Sequence, residues 1–242
     1  MRNVPSYLMI IVMLILLFTT ATAANTINKN EKVALLTFDD GPDIRNTPEI
    51  LDILKRHDIK GMFFVTGQAC SKQPDLLRRI ANEGHVIANH TFNHKVIKGL
   101  GTEQITEEIT LTNKTITRLT NQPVEYFRPP TGAYSKKEAE LINELGLKVL
   151  MWDCGLEKVA IKTPKGLVNH LLGRIEGQDQ LMLLLHDGSP RNRYSRKNTV
   201  KALPILIEEL KARGYKFIDP SSKKGKQFID RYIQENPKLD VY

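Results

Sequence analysis

The sequence predicts an α/β fold with a parallel sheet of about seven strands, open or closed into a barrel, and three observations predict it. From Glu31 onward, short apolar runs alternate with amphipathic stretches, the pattern of repeated strand–helix units. Several of the amphipathic stretches carry the start and stop residues of helices. The residues able to do chemistry stand where apolar runs end, and folds of this kind bind ligands at the carboxyl ends of their strands.

Taken in order, strands are expected over residues 33–38, 62–66, 86–88, 125–128, 148–152, 181–186 and 216–218. Helices are expected between them, over 48–57, 73–83, 103–119, 136–145, 165–175 and 199–213. Thr47-Pro48 and Thr163-Pro164 supply a cap and a first-turn proline, where a missing N–H costs nothing. Gly84, Gly146 and Gly214 follow helix ends, where a left-handed residue is wanted. Beyond Pro220 the chain is polar and rich in lysine, with no apolar face beyond Phe228, Tyr232 and Ile233. Residues 221–242 are expected to form a polar basic tail or one loosely docked helix.

The chain has 242 residues, 41% of them hydrophobic, enough for one substantial core but not for two enzymatic domains. Its start is set apart from the fold. Arg2, the apolar run 8–18 and Ala21-Thr22-Ala23 form the charged, apolar and cleavage regions of a signal peptide over residues 1–23. Such a run is too short to span a bilayer, which takes about 20 residues. An uncleaved amphiphilic anchor is the other reading. Either way the protein is expected outside the cytoplasm, secreted or associated with the cell wall, with residues 24–30 as a linker and 31–220 as the domain.

A formal charge of +8 draws the protein to anionic surfaces such as wall polymers or lipid headgroups. Nucleic acid is not expected, because no helix carries a basic stripe interleaved with aromatics. Cys70 and Cys154 lie far apart and at no metal-binding spacing. They are expected to be packing residues, since a disulfide needs proximity that sequence does not show.

Four segments carry chemistry. In Thr37-Phe38-Asp39-Asp40-Gly41-Pro42 an apolar run ends in two adjacent carboxylates, which repel unless a cation or hydrogen bonds intervene. His90-Thr91-Phe92-Asn93-His94 follows another run and offers two imidazoles suited to a divalent metal. With an aspartate from a different strand end they make three ligands, leaving positions open for water and substrate. Arg128-Pro129-Pro130-Thr131-Gly132 has a proline-stiffened backbone, and a rigid N–H there suits an oxyanion. In Leu183-Leu184-Leu185-His186-Asp187-Gly188 a run ends in a histidine, a group able to exchange protons near neutral pH. Singly, each segment also suits a plain structural role.

Together and in this order, the TFDDGP, HTFNH, RPPTG and LLLHDG segments resemble those of the polysaccharide deacetylases of carbohydrate esterase family four, the group with a NodB-like domain. The resemblance covers residues 31–220 and implies a distorted (β/α) barrel. It implies that Asp40, His90 and His94 bind a divalent metal, usually zinc, with cobalt or another divalent ion as alternatives. Asp39 would take the proton of the attacking water, Arg128 would hold Asp39, and His186 would protonate the leaving amine. The Thr131 amide would stabilise the oxyanion, and Trp152 and Leu184 would wall the acetyl pocket.

The implied reaction is hydrolysis of N-acetyl groups on N-acetylglucosamine or N-acetylmuramic acid units of peptidoglycan or a chitin-like glycan, by a monomer. Family members often carry an Asp-Trp pair whose aspartate orients the catalytic histidine. Here Lys158-Val159 stand in its place, leaving Glu157 or Asp153 as a substitute. Two further functions remain open: an O-acetyl esterase of the xylan type, and a glycan-binding module with impaired catalysis.

Overall fold

The computed structural model describes residue 28 and residues 31–190 and 193–236. The expected signal peptide lies outside the described residues. Eight strands form one parallel sheet: β1 (Val33–Asp39), β2 (Met62–Val65), β3 (Val86–Asn89), β4 (Tyr126–Phe127), β5 (Lys148–Val149), β6 (Cys154–Gly155), β7 (Gln180–His186) and β8 (Lys216–Phe217). Their order is β5-β4-β3-β2-β1-β7-β6, with β8 beside β1. The helices are α1 (Thr47–Arg56), α2 (Gly67–Lys72), α3 (Pro74–Asn82), α4 (Thr102–Thr120), α5 (Lys136–Glu144), α6 (Pro164–Arg174), α7 (Lys197–Ala212) and α8 (Lys223–Glu235).

All seven expected strands are present, and the eighth arises because the run 148–152 breaks. Leu150 N–H donates to Phe127 O on β4, and Asp153 N–H donates to Met182 O on β7, each at 2.9 Å. Residues 150–153 therefore cross between strands that lie on opposite sides of the sheet order. Three extended residues reach only about 10 Å. The sheet is thus curled until its edges nearly meet, which is the distorted barrel expected from the sequence.

Side-chain parity sorts the core into an outer and an inner layer, because successive residues of a strand point to opposite faces. Ala34, Leu36 and Phe38 of β1 pack outward with Leu54 of α1 and Leu206 of α7. Val33 and Leu35 pack inward with Met62, Phe64 and Met182. Each such side chain contributes about 1.5–3 kcal/mol by leaving water.

The inner layer is closed at the end where the strands begin by α8. Of the two expectations for this segment, a polar tail or one docked helix, the helix is observed. Ser222 caps it by accepting from Gly225 N–H, and Phe228, Ile229 and Tyr232 are buried in the inner cluster. One helical stripe suffices to plug a barrel mouth. The short α2, held by its Thr66 cap, was likewise not expected. Cys70 and Cys154 are both free thiols and buried, as packing residues.

Candidate active site and metal centre

Thr37, Asp39, Leu184 and His186 share the inward parity. Thr37 is the register partner of Leu184, and Asp39 that of His186. Adjacent strands lie about 4.8 Å apart, so Asp39 and His186 stand side by side facing the barrel axis. The backbone then leaves ordinary geometry. Asp40, Thr91, His94 and Thr131 all have positive φ, between 54° and 79°, in a region that costs a residue with a side chain roughly 1–3 kcal/mol. Two close approaches hold the turns in place. A Cβ on Gly188 would overlap the Asp40 carbonyl, and one on Gly41 would overlap the Asp187 carboxylate.

Ligand-type atoms of Asp40, His90 and His94 lie within 4.8 Å of one another. Asp40 Oδ1 is 3.5 Å from His90 Nε2 and 3.0 Å from His94 Nε2. His90 Nδ1 lies 2.7 Å from Arg128 O, an acceptor only. That places the ring proton on Nδ1 and a lone pair on Nε2. Asp40 Oδ1 is buried and accepts no hydrogen bond. A buried, unpaired carboxylate oxygen facing imidazole lone pairs is the donor set of a divalent cation, so these three residues fit one. Asp40 Oδ2 is held by Arg196, whose Nη2 lies 3.2 Å away and whose Nε donates to Gly188 O at 2.7 Å.

Arg128 is fully buried beneath this centre. Its Nη1 donates to Asp39 Oδ1 and to Thr37 Oγ1, each at 2.7 Å. Nε and Nη2 donate to Leu150 O and Met151 O at 3.0 Å, and the guanidinium lies 3.8 Å from the Phe64 ring centroid. Each nitrogen has an acceptor, which is the condition for burying a guanidinium. The arrangement fixes Asp39 with its second oxygen, Oδ2, 3.8 Å from His90 Nε2.

Glu157, not Asp153, stands beside His186. Its Oε2 lies 3.1 Å from His186 Nδ1, and its Oε1 accepts from His186 N–H at 3.0 Å and Thr199 Oγ1 at 2.7 Å. Asp153 instead accepts from Met182 N–H and from the Tyr232 hydroxyl. Burial lowers the His186 pKa, but the Glu157 carboxylate outweighs it and holds the imidazole above its usual value. Burial in turn raises Glu157, but His186, Arg196 and Thr199 together hold it below the usual carboxylate range. Asp187 is pushed up to about 7, chiefly by burial, and accepts from Gly41 N–H and Thr47 Oγ1.

Asp39, Asp40, His90, His94 and His186 open into one cleft of about 530 Å³. Thr131, Trp152 and Leu184 line it. The Thr131 N–H has no acceptor among the described residues, leaving a donor for a ligand oxygen. Asn93, Pro190, Arg193, Tyr194 and Arg196 complete the lining. The site can therefore hold a cation, place a carboxylate base beside it, and present an imidazole acid alongside.

The model of the polysaccharide deacetylase family matches residues 26–150 of this sequence, more than half of the chain. The chain belongs to that family. The deacetylase is similar to a peptidoglycan-N-acetylglucosamine deacetylase of Bacillus cereus, 32% identical over 79% of this chain and 88% of the relative. It is also similar to the peptidoglycan-N-acetylmuramic acid deacetylase PdaA of Bacillus subtilis, 33% identical over 78% of this chain and 70% of the relative. Among solved structures, a peptidoglycan N-acetylglucosamine deacetylase in complex with 4-naphthalen-1-yl-N-oxidanyl-benzamide superposes with a TM-score of 0.74. It is 31% identical, over 80% of this chain and 89% of that one.

All nine residues singled out from the sequence stand together in the deacetylase, eight of them lining the cleft and Arg128 beneath it. Sequence reasoning missed Arg193, Tyr194, Arg196 and Thr199. They lie in and just after a polar loop with no apolar run to mark it. The one available signal was their position immediately beyond the catalytic-type strand end.

Proposed function

We propose that this polysaccharide deacetylase removes N-acetyl groups from N-acetylglucosamine or N-acetylmuramic acid units of peptidoglycan, outside the cytoplasm, as a zinc-dependent monomer. The observation that carries the reading is the convergence of Asp40, His90 and His94 on one point, with Asp39 and His186 on neighbouring positions of paired strands. Two imidazole nitrogens and a carboxylate oxygen suit zinc.

A divalent cation there supplies Lewis acidity to the acetyl carbonyl and lowers the pKa of water. Asp39, held by Arg128, takes the water proton. The Thr131 N–H donates to the oxygen on which charge develops. His186 delivers a proton to the departing amine, which is otherwise a poor leaving group. Trp152 and Leu184 receive the methyl group. The basic composition supports residence at an anionic wall, and the apolar run 8–18 with its Ala-Thr-Ala site supports export.

The test is acetate release from peptidoglycan and chitin oligomers by zinc-loaded protein, with and without a chelator. Asp39→Asn should abolish turnover with metal retained, whereas His90→Ala should lose metal as well. Zinc-loaded protein silent on every acetylated glycan would refute the reading, and turnover confined to acetylated xylan would show an esterase.

A further inference from the structure

We propose that Arg193, with Tyr194 beside it, forms a subsite for a carboxylate on the substrate, so that the cleft favours an acetamido sugar bearing an acidic substituent over a neutral one. The lactyl ether of N-acetylmuramic acid, with its carboxyl group unsubstituted, is the matching chemistry. The inference rests on the deacetylase reading above and narrows it.

The carboxylates of the cleft are already matched. The cleft contains Asp39 and Asp40, with Glu157 behind His186. Arg128 binds Asp39, Arg196 binds Asp40, and Glu157 is taken by His186 and Thr199. Arg193 lines the same cleft and is exposed. Its guanidinium makes no hydrogen bond or ion pair with any described residue. No carboxylate of the cleft remains for it. A divalent cation held by Asp40, His90 and His94, which line the same cleft, would add further positive charge. An anionic ligand is then drawn in by the summed field, and a carboxylate matches the guanidinium fork in two-point geometry.

Two hydrogen bonds anchor the backbone of Arg193 and Tyr194. Arg193 N–H donates to Pro190 O at 3.3 Å, and Tyr194 N–H donates to Ser189 Oγ at 2.8 Å. The Arg196 guanidinium lies 5.5 Å from the Tyr194 ring centroid, so the residue that clamps the metal-site aspartate also steadies this ring. Tyr194 remains 49% exposed, which leaves ring surface on which a sugar can pack. Hydroxyl groups alone, on a neutral sugar, offer Arg193 only neutral acceptors, which net less in exchange for water than a carboxylate does.

Three glycans decide the matter: a chitin oligomer, an N-acetylmuramic acid glycan with free carboxylates, and the same glycan with its carboxylates converted to methylamides. Zinc-loaded wild-type protein should deacetylate the free acid with a kcat/KM about tenfold above its methylamide, the scale of one hydrogen bond to a charged group. Arg193→Gln should pull that ratio towards unity, mainly through KM, and Arg193→Lys should restore part of it. A wild-type ratio near unity, or a ratio that Arg193→Gln leaves unchanged, would overturn the subsite while the deacetylase reading stands. Acetate from none of the three would overturn both.

Discussion

Replacing Glu157 with Gln separates the charge beside His186 from the shape beside it. Gln is nearly isosteric, and its carbonyl can still accept from the imidazole, so the ring keeps its orientation while the carboxylate is lost. As the proposed general acid, His186 works when protonated, and activity declines as pH rises through its pKa. Glu157 holds that pKa up, which extends the working range upward; the variant should lose the upper part of it. Unit charges 3.1 Å apart, at an effective dielectric constant of about 20, attract by roughly 5 kcal/mol. Burial of both groups offsets much of this, and a hydrogen bond to a charged group nets about 1.5–3 kcal/mol. That favours the protonated imidazole by about tenfold or more. In a pH profile of kcat/KM for acetate release, the alkaline limb of Glu157→Gln should move to lower pH, because the variant lacks the charge that holds His186 up. The loss should reach about tenfold near pH 8 and be smaller near pH 6. An alkaline limb that stays where it was, or a loss equal at every pH, would refute the role assigned to Glu157.

Arg128→Met should abolish activity and lower stability by about 3–5 kcal/mol, because it leaves Asp39 buried without its partner. Thermal unfolding should register this as a fall of roughly 10 °C or more. Phe228→Ala, in the helix that plugs the barrel mouth, should cost about 3–5 kcal/mol in a denaturant titration although it lies far from the cleft; a loss below about 1 kcal/mol would show that α8 is not part of the core. Cys70 and Cys154 should be unreactive to a thiol reagent in the native protein and both titrate after unfolding without reductant. Burial pushes the Cys70 thiol up, away from the reactive thiolate.

The alternation of apolar runs and amphipathic stretches made the strands and most helices legible, because parallel strands buried on both faces and helices buried on one have different periods. Asp39 and His186 were legible for a related reason. Each ends a strand on the inward parity, two or more residues beyond Leu35 or Leu184. The break at residues 150–153 was not legible, since the carbonyls of Leu150 and Met151 turn to Arg128, a partner more than twenty residues away. Glu157 was one of two equal candidates in the sequence. Distance alone chose it, because Asp153 faces Met182 and Tyr232 on another side of the strand. Helix α8 was obscured by lysines that occupy its outward face and leave only a narrow apolar stripe.

Arg128 grips two things at once: the carbonyls of the segment that crosses the barrel's seam, and the carboxylate of Asp39. Arg128 itself follows the end of β4, its partners come from β1 and from the stretch after β5, and Thr37 in turn donates to Leu183 on β7. No fragment of the chain brings these together. The base therefore acquires its setting only when the ring is shut, and hydrolytic power is withheld from every partly assembled form. Closing the ring and completing the setting of Asp39 are therefore the same event.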